Sequence, residues 1–128
     1  MTQPIQANTQ LVAVPLYRLA HGRTGDKGNT SNISVIAWRD EWFPLLVEQV
    51  TEEVVRKWFA HRKPSRVTRY VLPTISAMNF VMEGVLDGGV NDALNLDAHG
   101  KALSFHMLDI PVMVHPELAA NLPDVHHP

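Results

Sequence analysis

The chain has no cysteine. That excludes a disulfide framework, a thiolate metal site and a cysteine nucleophile, and it fits a reducing compartment. No apolar run approaches the length of a membrane span. Residues 1–10 have neither the basic stretch nor the apolar core of an export signal. A cytoplasmic location without membrane association is therefore expected. Neither sign of charge dominates: 11 Lys and Arg stand against 13 Asp and Glu, a net charge of −2. With no basic cluster, nucleic acid is not an expected partner, because phosphate neutralisation supplies most of that affinity. The chain also lacks a Walker A loop, a dinucleotide fingerprint and a Gly-x-Ser-x-Gly elbow. Its seven histidines show no His-Glu-x-x-His or His-x-Glu spacing, so no metal centre is expected, and no cofactor either.

At 128 residues the length fits one domain. Residues 1–10 read as a loose tail, 11–114 as the domain and 115–128 as a second, peripheral tail. Leu11 to His21 reads as an extended segment, with Pro15 marking an edge strand or a bulge. Ile33 to Trp38 is β-branched and aromatic and reads as a buried strand. Pro44 opens a helical run with Phe43, Leu46, Val47 and Val50 on one stripe. Thr51 is the expected N-cap of a second helix, with Glu52 and Glu53 at its positive end. Val54, Val55, Trp58 and Phe59 recur at helical spacing, and Glu52–Arg56 and Glu53–Lys57 are i,i+4 pairs. Arg66 to Leu72 alternates as a strand ending at Pro73. Ser76 to Leu86 fits a helix through Met78, Val81, Met82, Val85 and Leu86, stopped by Asp87-Gly88-Gly89. Asn91 to Asp97 reads as a strand and Asp97 to Lys101 as a tight turn. Residues 102–109 fit strand or short helix, and Pro111 interrupts a last extended segment, Ile110 to Val114. This order predicts an α+β sandwich with helices on one face of a sheet.

Among what is present, residues 22–32 carry most information. Gly22, Gly25 and Gly28 recur every third position, among Arg23, Thr24, Asp26, Lys27, Asn29, Thr30, Ser31 and Asn32. With no apolar side chain, the stretch reads as a long polar loop between two strand-like segments. Such a loop can bind an anionic or carbonyl group. Arg23 and Lys27 would supply charge, Gly25 and Gly28 backbone access, and Asn29, Ser31 and Asn32 orienting hydrogen bonds. Asp26 would accept a proton or hold Lys27 in place. An ordinary structural loop, with Asp26 and Asn29 capping turns, satisfies the same composition. His21 adjoins the stretch and reads either as an acid–base group or as a strand-end residue with a satisfied ring. Asn79 and Glu83, i and i+4 on the expected helix, read as a solvated edge or as groups reaching a pocket. Trp38, Trp42 and Trp58 read as core.

The run Arg23 to Asn32, followed by an apolar strand, resembles the signature of the AtuA-like ferredoxin-fold domain family (acyclic terpene utilisation). Trp58 to His61, Leu72-Pro73 through Ala77 to Glu83, and Gly88-Gly89-Val90 through Leu94 to Lys101 match as well. The resemblance spans about residues 10–114, and Thr24 stands where Ser is commoner. It implies a ferredoxin-like, mostly antiparallel sheet. It also implies a role beside a larger α/β domain, here as a separately encoded small subunit acting on an acyl-CoA or carboxylate. In that setting Asp26 and Lys27 would be the catalytic residues. Arg23, Gly25, Gly28, Asn29, Ser31 and Asn32 would bind substrate. A non-catalytic assembly or regulatory module docking on the same partner is the alternative. An edge strand and exposed aromatics also point to a homo-oligomer.

Overall fold

The computed structural model describes residues 10–28, 30–84 and 103–122. Its main element is a four-stranded antiparallel sheet built from β2 (Ala20–Lys27), β3 (Thr30–Ala37), β4 (Arg66–Leu72) and β5 (Ala77–Glu83), in the order β2-β3-β5-β4. A smaller two-stranded sheet pairs β1 (Val12–Pro15) with β6 (Pro111–Val114). The described residues also include helices α1 (Phe43–Gln49), α2 (Glu52–Trp58), α3 (residues 103–107) and α4 (Pro116–Asn121), and short 3-10 turns. The result is the expected α+β, antiparallel, ferredoxin-like arrangement.

One face of the large sheet carries the core. Ile33 and Val35 of β3 lie beside Phe80 and Met78 of β5. They are buried together with Leu46 of α1, Val55 of α2 and Phe59. Leu16, Leu19, Met107, Leu108 and Ile110 close the core toward the small sheet. The helices form where the pattern requires. Pro44 sits in the first turn of α1, where no N–H partner is needed. Thr51 caps α2, its Oγ1 accepting from Val54 N–H at 3.2 Å. Glu53 pairs with Lys57 at 3.3 Å. Glu52 does not reach for Arg56; its Oε2 accepts the backbone N–H of Arg69 at 2.8 Å.

Arg69 ties the first helix to the sheet. Its side chain stands on the core row of β4, opposite Phe80. Nη1 donates to Val47 O at 2.7 Å and to Val50 O at 2.8 Å. These carbonyls end α1, where intrahelical donors run out and the helix dipole is negative. The neighbouring edge of β6 is closed by a side chain in place of a strand. Gln49 Nε2 donates to Met113 O at 2.7 Å and Gln49 Oε1 accepts Met113 N–H at 2.8 Å.

Several expectations need correction. Residues 22–32 are not a loop. They are the end of a β-hairpin, in register from Ala20↔Ala37 to Lys27↔Thr30. Gly28, at φ 62, supplies the left-handed residue of its two-residue turn. The strand period was hidden because the inward positions are Gly22, Thr24 and Ser31 instead of large apolar residues. The segment from Ser76 is not a helix but β5. Met78, Phe80 and Met82 are buried alternately, and Val81, which completed the helical spacing, lies on the other face. Leu11 to His21 is not continuous: a 3-10 turn at Leu16–Arg18 separates β1 from β2. Pro111 begins β6 and does not interrupt it. Residues 103–107 are helical. Residues after His115 include α4, and Leu122 is buried behind it. Trp42 is buried as expected, but Trp38 is 46% exposed. The expected stop at 87–89, strand at 91–97 and turn at 97–101 lie outside the described residues.

Candidate functional site

Strand alternation divides the hairpin between two faces. Positions 20, 22, 24 and 26 of β2 belong to the core row, opposite Ala37, Val35, Ile33 and Ser31. Positions 21, 23, 25 and 27 belong to the other row, opposite Ile36, Ser34, Asn32 and Thr30. The second row continues across β5 and β4. Ser34 stands beside Asn79 and then Tyr70, and Asn32 beside Val81 and then Thr68. Arg23, Gly25, Asn32 and Tyr70 are exposed on this face, while Ser34, Asn79, Val81 and Thr68 are half-buried.

This open face is polar and flat. Ser34 Oγ donates to Asn79 Oδ1 at 3.2 Å, which fixes the middle of the row Arg23–Ser34–Asn79–Tyr70. At the hairpin end, Arg66 and Glu83 approach to 4.0 Å, with Arg66 exposed and Glu83 half-buried. Arg23 makes no ion pair among the described residues.

Gly25 is the unusual member. It lies inside a strand, where glycine weakens the chain by about 0.5–1 kcal/mol relative to alanine. Its φ is not positive, and a Cβ built on it meets nothing within 4 Å. Neither conformation nor internal packing calls for glycine there. Bare backbone is left facing outward, with position 23 and position 27 two residues away on either side. The spacing from Arg23 to Lys27 along the strand is about 13–14 Å. Positions 23 and 27 therefore each lie roughly 7 Å from position 25 along the strand. An anionic group lying on Gly25 would have Asn32 alongside and a cation position at each end.

The expected site residues thus separate into two groups. Arg23, Gly25, Lys27 and Asn32 hold positions of the open row. Asp26 and Ser31 are register partners across the hairpin, and Lys27, expected to act with Asp26, is the next position of β2, opposite Thr30. Gly28 is the turn. Asn29 lies outside the described residues. Ser31 is fully buried, and among the described residues its Oγ and the Oγ1 of Thr24 have no hydrogen-bond partner. Ser34 and Asn79 join the open face without having been singled out for it together. Their signal was a polar residue at alternate positions of two neighbouring strands.

His21 stacks on Trp38 at the apolar end of the same face, with ring centroids 4.3 Å apart. Burial lowers its pKa below the ordinary value. A second aromatic cluster lies elsewhere. Trp58 Nε1 donates to His106 O at 2.7 Å, and His106 Nε2 lies 3.2 Å from Trp58 O. Because a carbonyl only accepts, that nitrogen carries the proton. His61 meets the His106 ring edge-on at 5.1 Å. This cluster joins α2 to α3 by packing. Among the described residues no three His, Asp or Glu side chains gather as a metal site, and no helix is long and apolar enough to cross a membrane.

Residues 14–113 match the model of the AtuA ferredoxin-like domain. No curated protein and no solved structure matches the chain.

Proposed function

The chain belongs to the AtuA ferredoxin-like domain family, and on that footing we propose that it serves as the small component of a two-component enzyme of acyl-CoA or carboxylate catabolism. Its open sheet face lies against a larger α/β domain. The anionic or carbonyl group of the substrate is held between them, on the β2–β3 hairpin. Arg23 and Lys27 bind the charge, Asn32 orients it, and Gly25 lets it rest on the backbone. The observation that carries this reading is Gly25: a strand glycine with open space above it and no conformational need for it.

Asp26 does not hold a position of this row. Chemistry beyond binding falls to the larger domain. Charge-assisted hydrogen bonds to an oxyanion contribute about 1.5–3 kcal/mol each. Loss of either cation is then expected to weaken binding by roughly tenfold to a hundredfold.

The test uses the chain co-purified with an AtuA-like large-domain protein and titrated calorimetrically with a short branched acyl-CoA and with its free acid. Arg23→Ala and Lys27→Ala are expected to form the complex and to lose ligand affinity. Native affinity in both variants would overturn the binding role. Loss of the complex itself in these variants would assign the residues to docking, the alternative role.

A further inference from the structure

We propose that β4 is a self-pairing edge, through which two copies of this chain join antiparallel about Val71. The inference is independent of the ligand reading above. Among the described residues, in the order β2-β3-β5-β4, β4 has a neighbour on one side only. The direction of its backbone groups follows from Arg69. Its N–H is bonded to the Glu52 carboxylate and so points away from β5. Backbone groups alternate along a strand, so those of Val67 and Val71 point outward too.

The two halves of this edge differ. The first half carries Arg66 and Arg69, and Glu52 occupies its central donor. Charges and blocked donors are how natural edges avoid pairing. The second half has neither. Val71 N–H and C=O have no partner among the described residues. The flanking side chains are apolar and open to solvent: Tyr70 is 54% exposed, Leu72 42% and Ile75 61%. The opposite edge, β2, carries Gly22, Thr24 and Asp26 at its outward-pointing positions and offers no comparable apolar surface.

A second copy fits the β4 edge better than an arbitrary strand because the edge is self-complementary. Centred on Val71, the two strands exchange both Val71 hydrogen bonds. Tyr70 then faces the partner's Leu72, and Leu72 the partner's Tyr70, two aromatic–aliphatic cross-strand pairs on one face. Arg69 falls opposite the partner's Pro73, which has no N–H to give. The ladder therefore stops where Glu52 begins to block it. A register centred on Arg69 would oppose like charges and displace Glu52, and is disfavoured.

The absence of cysteine makes a direct test available. Hydrogen-bonded antiparallel partners have Cα atoms about 5.5 Å apart, inside the disulfide range of roughly 4.4–6.8 Å. Val71→Cys is expected to cross-link to a covalent dimer under mild oxidation, whereas Glu53→Cys, exposed on α2, is expected to form no covalent cross-link. Light scattering of the unmodified chain is expected to give twice the 14.3 kDa protomer mass. Leu72→Lys is expected to give the protomer mass with an unchanged circular-dichroism spectrum. A monomeric unmodified chain, equal cross-linking at both cysteines, or a folded Leu72→Lys variant that remains dimeric would each overturn the proposal.

Discussion

Replacing Arg69 by methionine should expose how α1 is held on the sheet. Methionine retains most of the apolar stem that runs over the core row and removes the guanidinium. Two hydrogen bonds disappear, to Val47 O at 2.7 Å and Val50 O at 2.8 Å. Both carbonyls belong to the end of a seven-residue helix, where unpaired acceptors concentrate. Bonds from a charged donor contribute about 1.5–3 kcal/mol each, but the two share one nitrogen and are not additive. Loss of the cation at the negative helix end adds roughly 0.3–1 kcal/mol. A destabilisation of about 2–4 kcal/mol follows, a large part of the ~6–15 kcal/mol expected of such a domain. At roughly 4 °C per kcal/mol for this size, the melting temperature should fall by about 8–16 °C. Urea unfolding followed by circular dichroism measures it directly. Arg69→Lys should fall between the two, because an ammonium keeps the charge but does not reproduce the planar fork. A loss below about 0.5 kcal/mol for Arg69→Met, the range of an ordinary surface change, would refute the reasoning.

Ser31→Ala should stabilise the domain or leave it unchanged, since the Ser31 hydroxyl is fully buried and has no partner among the described residues, and an unsatisfied buried hydroxyl is itself unfavourable; a loss near 1 kcal/mol in urea unfolding would show that the hydroxyl has a partner. Gly28→Ala should destabilise by about 1 kcal/mol, because φ is 62 at that turn and a Cβ disfavours the left-handed region; an unchanged midpoint would contradict the turn geometry. Burial lowers the pKa of His21, so the unfolded chain takes up that proton first as pH falls. The His21 contribution is present above the unfolded pKa near 6.5 and is lost as pH falls through the lower folded value. Stability against pH should therefore slope less steeply just below 6.5 in His21→Asn than in the native chain; identical slopes would show that His21 titrates alike in both states.

The parts of the fold legible in the sequence are those where large apolar residues mark the period. Ile33 to Ala37 on β3, Val67 to Val71 on β4, and the stripes of α1 and α2 with the Thr51 cap declared themselves. The hairpin did not. Its buried row is made of Gly22, Thr24 and Ser31, so residue type and period disagreed and composition suggested a loop. On β5 the opposite happened. Apolar Val81 on the open face supplied a false helical spacing around Met78 and Met82. The candidate site shows the same mixture. Arg23, Gly25 and Asn32 drew attention by type. That they share a row depends on the strand period. Ser34 and Asn79 became neighbours only through pairing between strands far apart in sequence, which no local pattern contains.

The claim that most depends on the geometry is that Gly25 keeps a strip of backbone bare for a ligand. Gly25→Val tests it, because a β-branched residue suits a strand and its Cβ meets nothing within 4 Å. Calorimetric titration of the two-component complex with a branched acyl-CoA should show affinity reduced at least about tenfold, a loss of roughly 1.4 kcal/mol, while urea unfolding shows stability equal to or above that of the native chain. Unchanged affinity in a well-folded Gly25→Val complex would contradict the account.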